Sequence, residues 1–481
     1  MDLRTKALKG VAWSAARNWG SRAINFVVFA VLAQLLQQSA FGLVALAGTY
    51  LAFVRVFVDQ GFADAIIQRD ELEDGHLDTA FWINLALAVA MMVGSFLLAP
   101  WIAQLFDEPE LGPVIQWLAP SFLLAALSGV QQAYIERELA YQVLAVREFV
   151  AALCGGLVAV GMAVEGFGVW SLVGMMLTER TAAVVVLWTA SDWRPGTTVT
   201  GRHFRHLFRF GINVLGTNLL YYVNSRADNL IIGYFLGAAP LGYYDVAYKL
   251  FQNGLNAITQ TVSSVAFSTF SRLQAERDRM RRGFLTATRM VSVAAFPIFA
   301  GTAVVAPEII GLLFGTKWLP LSAQVYQVLA VAGALQSVFY FNSPVMMACG
   351  KPHWRLGINL LNAILNVVLF TWAAQWGIVA VAVAFVVRGY LVAPLQIALV
   401  RSLIPLNVRQ YLVQFVVPLV STAVLSGVVW GGTHVMKPAT GSLLALGGAG
   451  LLGAACYVAA IYVMDRALFT KITDLVRSVA G

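Results

Sequence analysis

Charge is what this chain has least of. Asp, Glu, Lys and Arg make up 12% of its 481 residues, where a soluble domain carries roughly 25%. That scarcity excludes an ordinary water-soluble globule. Cysteine is also rare. Cys154, Cys349 and Cys456 lie in or beside apolar stretches without a CxxC pair, so they offer no disulfide framework and read as packing residues. His203 and His206 have a metal-like spacing but sit in a basic stretch without carboxylate partners. No phosphate-binding GxxxxGK(S/T) occurs, and no GxGxxG followed by a suitable acid. No metal, no cofactor and no catalytic group is expected: the residues do not read as an enzyme.

Long apolar runs are what the chain has in their place. Hydrophobic residues make up 59% of it, and stretches of about 20 apolar residues, enough to cross a bilayer core, recur throughout. The reading is an all-α polytopic membrane protein with about 14 transmembrane helices. The first span is expected over 11–33, the seventh and eighth over 210–236 and 240–268, and the last two over 411–431 and 443–464. The N-terminal run is broken by Arg17, Asn18, Arg22 and Asn25, which makes it a retained helix and a poor signal segment.

The net charge of +8 does not point to nucleic acid, because Lys and Arg collect in cytoplasmic loops of membrane proteins. With the N-terminus inside, 23 basic residues fall on the cytoplasmic side and two, Lys317 and Lys437, on the other. Both termini are then cytoplasmic. The Arg-rich run 271–282 reads as a cytoplasmic amphipathic connector.

The chain also echoes itself. FGLVALAGTY (41–50) returns weakly as LGYYDVAYKL (241–250), and GFGVWSLV (166–173) as QWGIVAVA (375–382). Six spans per repeat implies parallel repeats about an axis along the membrane normal. The expected partition is a six-helix lobe over 1–200, a second over 201–405 related by pseudo-two-fold symmetry, and two further helices with a tail over 406–481.

Seven bases remain within spans: Arg17, Arg22, Arg55, Arg180, Arg226, Lys249 and Arg388. The acids at that depth are Asp59, Glu179, Asp228 and Asp245. Each charge costs at least about 2.5–3.5 kcal/mol at a lipid-facing bilayer centre, so these side chains should face protein or a wet cavity. Polar residues recur at helical spacing beside them. Asn25 shares a stripe with Arg22; Tyr222 with Arg226; Tyr248, Gln252 and Asn256 follow Asp245 and Lys249; Asn359, Asn362 and Asn366 line up on a later span. Such stripes fit a helix–helix seam or an aqueous cavity. Arg55 with Asp59, and Asp245 with Lys249, are spaced to pair at i, i+4, and Asp228 and Lys249 are equally far from the turn near 238–239. Pairing leaves a surplus of base. Uncompensated guanidinium in a cavity suits an anion, since it grips phosphate oxygens in bidentate fashion.

The stretch DNLIIGYFLGAAPLGYYDVAYKL, from Asp228 to Leu250, resembles the seventh and eighth helices of the Wzx-type polysaccharide flippases, within the multidrug/oligosaccharidyl-lipid/polysaccharide exporter superfamily. KGVAWSAARNWGSRAINFVVFAVLAQLL and FGLVALAGTYLAFVRVFVDQGFADAIIQR resemble that family's first two helices. The resemblance implies movement of an undecaprenyl-diphosphate-linked oligosaccharide across the bacterial inner membrane by alternating access, coupled to H+ or Na+. It also implies contact with membrane lipids and with polymerase and export machinery. A drug/cation antiporter of the same superfamily and a membrane glycosyltransferase or polymerase are the alternatives. The first would want an acidic cavity and the second a sizeable extramembrane domain.

Overall fold

In lipid an unpaired backbone N–H or C=O has no water to bond, so apolar runs of membrane length close their hydrogen bonds as helices. The computed structural model describes residues 20–58, 66, 74–197, 201–274 and 276–480, and no strand occurs among them. Eleven helices among the described residues are long and apolar enough to span a bilayer. Helices over Gly20–Leu35, Gly201–Leu236 and Ala238–Arg272 take the places of the expected first, seventh and eighth spans. The chain folds into two compact units, Met1–Gly242 and Tyr243–Gly481.

The first unit holds α1 (Gly20–Leu35), α2 (Gln38–Val58), α3 (Asp74–Leu105), α4 (Leu111–Leu118), α5 (Ser121–Arg137), α6 (Tyr141–Val164), α7 (Val169–Ala190) and α8 (Gly201–Leu236). One expected span, 114–135, is divided between α4 and α5 at Ala119 and Pro120. Proline has no N–H to give the ladder.

The described connections of this unit gather at two ends. At one end Arg137 Nη1 donates to the Ile66 carbonyl (2.9 Å), Gly196 N to Asp78 Oδ1 (2.8 Å) and Trp82 Nε1 to the Gly196 carbonyl (2.7 Å). Ile66, Leu77, Phe81, Val130 and Trp193 seal that end. At the other, Ala238 N donates to Glu108 Oε1 (2.7 Å). The first end carries Arg137, Arg147 and Arg194 together with Asp78, Glu136, Glu138, Glu148 and Asp192, whereas the turns of the second carry Asp107, Glu108, Glu110 and Glu165 and no Lys or Arg.

The weak internal echo becomes a contact in space. A Cβ on Gly42 would run into the carbonyl of Ala238, and one on Gly242 into the carbonyl of Gln38. The two contacts are the same contact moved by 200 positions. Only glycine lets the backbones approach so closely. The turn that brings Ala238 there is made at Gly237, whose φ is +85°.

The second unit continues α9 (Ala238–Arg272) into α10 (Arg277–Val304), α11 (Ala306–Leu313), α12 (Leu321–Phe339), α13 (Asn342–Ala348), α14 (Pro352–Ala374), α15 (Ile378–Leu403), α16 (Val408–Val413), α17 (Val416–Met464) and α18 (Arg466–Ala480). The Arg-rich run is not a separate connector. It ends α9 and opens α10, where Glu276 and Asp278 sit at the positive helix end and pair with Arg279 (3.0 Å) and Arg281 (3.6 Å).

α17 folds back on itself. Gly432 faces Ala449, and Gly453 faces Val429 and Leu425, so its two arms occupy the places of the last two expected spans. These arms share a core with α10 and α18 through Val305, Leu425, Val429, Tyr457, Ile461 and Leu468. The Tyr457 hydroxyl donates to the Val293 carbonyl (2.7 Å), and Arg289 pairs with Asp465.

Candidate functional site

In the second unit, the stripe on α9 turns several expected residues toward one aromatic centre. Four residues make slightly more than one helical turn, so Tyr248 and Gln252 are stacked neighbours, and Gln252 Nε2 donates to the Tyr248 hydroxyl (2.8 Å). The Tyr248 ring stands edge-on to Phe385 of α15 (6.3 Å, 88°). The Arg388 guanidinium lies over the other part of this assembly, its central carbon 4.5 Å from the Phe385 ring centroid. Arg388 Nη1 donates to Asn366 Oδ1 on α14 (2.8 Å). Asn366 is fully buried, and Phe370 stacks on Phe385 at 6.3 Å. A guanidinium keeps its charge in any protein environment. Here an amide and an aromatic face orient it, and a guanidinium so oriented suits the oxygens of an anion.

Asp245 and Lys249 form the pair their spacing predicts, with Nζ 2.8 Å from Oδ2. The lysine side chain is 47% exposed and the aspartate 10%. A pair so wet at one end contributes about 0.3–0.5 kcal/mol, so it fixes the rotamers of α9 more than it stabilises the fold. Asn256 is half-buried farther along α9, and Asn359 half-buried on α14, two turns before Asn366.

The first unit uses its polar residues differently. The Tyr222 hydroxyl donates to the Thr49 carbonyl (3.2 Å), and Asn229 Nδ2 donates to Thr49 Oγ1 (3.3 Å). Thr49 Oγ1 in turn donates to the Ala45 carbonyl (2.7 Å). Tyr222 packs against Phe53 at 5.4 Å and is 7% exposed. These groups stitch α8 to α2, the arrangement expected of a seam. Asp228 is buried and accepts from Asn229 N (2.9 Å), while Arg226, two residues before it, is half-buried. Arg55 is half-buried in the last turn of α2. Arg22 and Asn25 are exposed on α1, and Arg180 on α7. Glu179 lies against Gly155 of α6, where a Cβ would meet its side chain. Arg17 and Asp59 lie outside the described residues.

Reasoning from polarity missed Phe385. It is one apolar residue in an apolar run, and its signal was its spacing: it precedes Arg388 by three residues, on the same helical face. Thr49 was missed for a similar reason, being a single hydroxyl among apolar neighbours on α2.

Fold and side chains together define an all-α, multi-pass membrane protein whose polar chemistry is carried by membrane-length helices. Comparison with known proteins narrows the class. The family described as "Polysaccharide biosynthesis protein" matches residues 31–323, and the chain belongs to that family. It is 27% identical over 443 residues to the teichuronic acid biosynthesis protein TuaB of Bacillus subtilis (strain 168), covering 89% of each chain. It is 25% identical to the lipopolysaccharide biosynthesis protein WzxC of Escherichia coli (strain K12), covering 87% of this chain and 86% of that one. Its fold is similar to that of the lipid II flippase MurJ in an inward closed conformation. The TM-score is 0.77 at 12% identity, over 95% of this chain and 99% of that one.

Proposed function

We propose that this protein flips a lipid-linked oligosaccharide, an undecaprenyl-diphosphate glycan, across the bacterial inner membrane by alternating access. The observation that carries this reading is Arg388, held by Asn366 and laid on Phe385 within membrane-length helices. An ionisable side chain at membrane depth is a functional-site candidate, and a guanidinium suits a diphosphate, whose oxygens it can grip in bidentate fashion. Membership of a polysaccharide biosynthesis family supports a glycan on that diphosphate. The end of the first unit that carries Arg137, Arg147 and Arg194 then faces the cytoplasm, along with both termini. Lys249, Arg226, Arg55 and the other intramembrane bases add to the attraction for the headgroup, and the polyprenyl tail stays in lipid. Asp59, Glu179 and Asp228 are the carboxylates whose protonation, or binding of Na+, would couple the cycle to an ion gradient. Polymerase and export proteins would take the product onward.

The test is complementation. A bacterial strain lacking its polysaccharide flippase should regain surface polysaccharide when it expresses this chain. Arg388→Ala should abolish rescue at unchanged membrane expression, and Arg388→Lys should restore part of it. Full rescue by Arg388→Ala sinks the anion-site reading.

A further inference from the structure

α18 differs in kind from the spans before it. Its 15 residues rise about 22 Å at ~1.5 Å each, short of a bilayer core of about 30 Å. Its sequence, RALFTKITDLVRSVA, divides into two sides by register. Leu468, Ile472, Leu475 and Val479 recur every three or four positions on one side, and Arg466, Thr470, Thr473 and Arg477 recur on the other. Such a helix is too short to span a membrane and too apolar along one side to stand in water.

Its position is set where α17 ends. Tyr462, Val463 and Met464 close a membrane-length arm and are all exposed, as lipid-facing residues are. Asp465 then leaves the helical conformation (φ −154°, ψ 84°), so α18 does not continue the axis of α17. Asp465 Oδ1 accepts from Leu468 N (2.9 Å) and caps α18, while its other oxygen pairs with Arg289 of α10. Leu468 is buried in the core shared with α10 and α17, and Phe469 stands edge-on to Tyr462 at 5.2 Å. The first turn of α18 is therefore fixed to the second unit at the depth where a span ends, which is the level of lipid headgroups.

An apolar side that starts at this depth needs a cover, and charge chooses it. The rest of α18 carries Arg466, Lys471 and Arg477 against one acid, Asp474. Arg466 lies over the Tyr462 ring at 5.3 Å, and both Arg466 and Lys471 are exposed. A bilayer surface of anionic lipid meets both demands at once, with acyl chains for the apolar side and phosphates for the basic residues. The exposed end of α17 already stands in that phase.

We propose that α18 lies in the membrane interface and grips anionic lipid headgroups, its apolar side in the acyl boundary and its basic residues on lipid phosphates. Through Asp465 and Arg289 the lipid-held helix is tied to α10. The assignment does not depend on what the protein carries.

The test is hydrogen–deuterium exchange of the full chain in nanodiscs of phosphatidylglycerol and, separately, of phosphatidylcholine. In phosphatidylglycerol, the amides of α18 should exchange at least about tenfold more slowly in the unaltered chain than in a variant carrying Arg466→Gln, Lys471→Gln and Arg477→Gln. The gap should shrink in phosphatidylcholine. Comparing two chains in the same discs removes the slowing that an anionic surface imposes on any amide. Lys471→Gln alone should cost about fivefold, the equivalent of ~1 kcal/mol per basic residue at such a surface, and it serves if the triple variant fails to fold. Equal exchange of unaltered and neutralised chains in phosphatidylglycerol overturns the proposal. Both slow would mean that protein covers the helix, and both fast that its apolar side waits for another partner. A gap equally wide in phosphatidylcholine also overturns it, because the basic residues then act through contacts within the protein.

Discussion

Tyr222 on α8 and Tyr248 on α9 come from the same kind of sequence, a polar stripe on a long apolar helix, and have opposite fates. Tyr222 is buried, its hydroxyl spent on a neighbouring backbone carbonyl. Tyr248 accepts from Gln252 and sets its ring against the aromatic that carries Arg388. The first is structural mortar between α2 and α8. The second belongs to a patch where a cation is oriented by neutral groups. Polarity within a membrane helix therefore has two uses, and the partner atom distinguishes them: a backbone carbonyl on a packed neighbour, or a side chain bordering a fixed charge.

Breaking that contrast at its strongest point should have the largest effect. Arg388→Ala should lower transport about tenfold to a hundredfold, the factor expected for a charged hydrogen bond of ~1.5–3 kcal/mol, whereas Tyr222→Phe should leave transport near normal and lower only the Tm. Equal transport loss from both, at equal expression, would erase the distinction.

The reciprocal glycines come next. Gly42→Ala or Gly242→Ala forces a methyl into a backbone carbonyl and should cost about 1–3 kcal/mol of stability by overpacking, read as a lower Tm. Because the two contacts are equivalent by position, the two Tm shifts should be similar. A large shift for one and none for the other would contradict the equivalence.

A smaller effect is expected at the seam. Thr49→Val removes the acceptor for Asn229 Nδ2 and should cost about 0.6 kcal/mol, the typical value for a side-chain hydrogen bond between membrane helices. Transport should remain near normal.

The smallest effect lies at the C-terminal helix. Partial burial pushes the Asp465 carboxyl up, but the Leu468 and Ala467 amides and Arg289 outweigh it and hold it below the ordinary value of 3.8. A depressed carboxylate contributes stability above its unfolded pKa and loses it as pH falls through the folded one. Amide exchange in α18 should therefore quicken below about pH 4, over and above the intrinsic pH dependence of exchange. Asp465→Asn should remove that step. A step that survives in the variant would assign it to another group.

Much of this was legible in the sequence. Scarce charge and recurrent apolar runs dictated a helical membrane protein, because lipid leaves the backbone no other way to satisfy its hydrogen bonds. The spacing of Asp245 and Lys249 foretold their pair, since 3.6 residues per turn puts i and i+4 on one face. The stretch around Asp228 to Leu250 resembled a flippase family, and the chain belongs to a polysaccharide biosynthesis family. The division of an expected span at Pro120, and the absorption of the Arg-rich run into α9 and α10, were visible in outline but not in position.

What the sequence determined by itself was periodic and local: which residues are apolar, how often polarity recurs, and where glycine and proline interrupt. These follow from nearest-neighbour geometry along one helix. Which neighbour each polar face would meet was decided only by the tertiary structure. Asn366 beside Arg388, Thr49 under Tyr222, and Arg289 beside Asp465 each join residues distant in sequence. The helical period states which way a side chain points, but the helix packed opposite supplies the atom it meets.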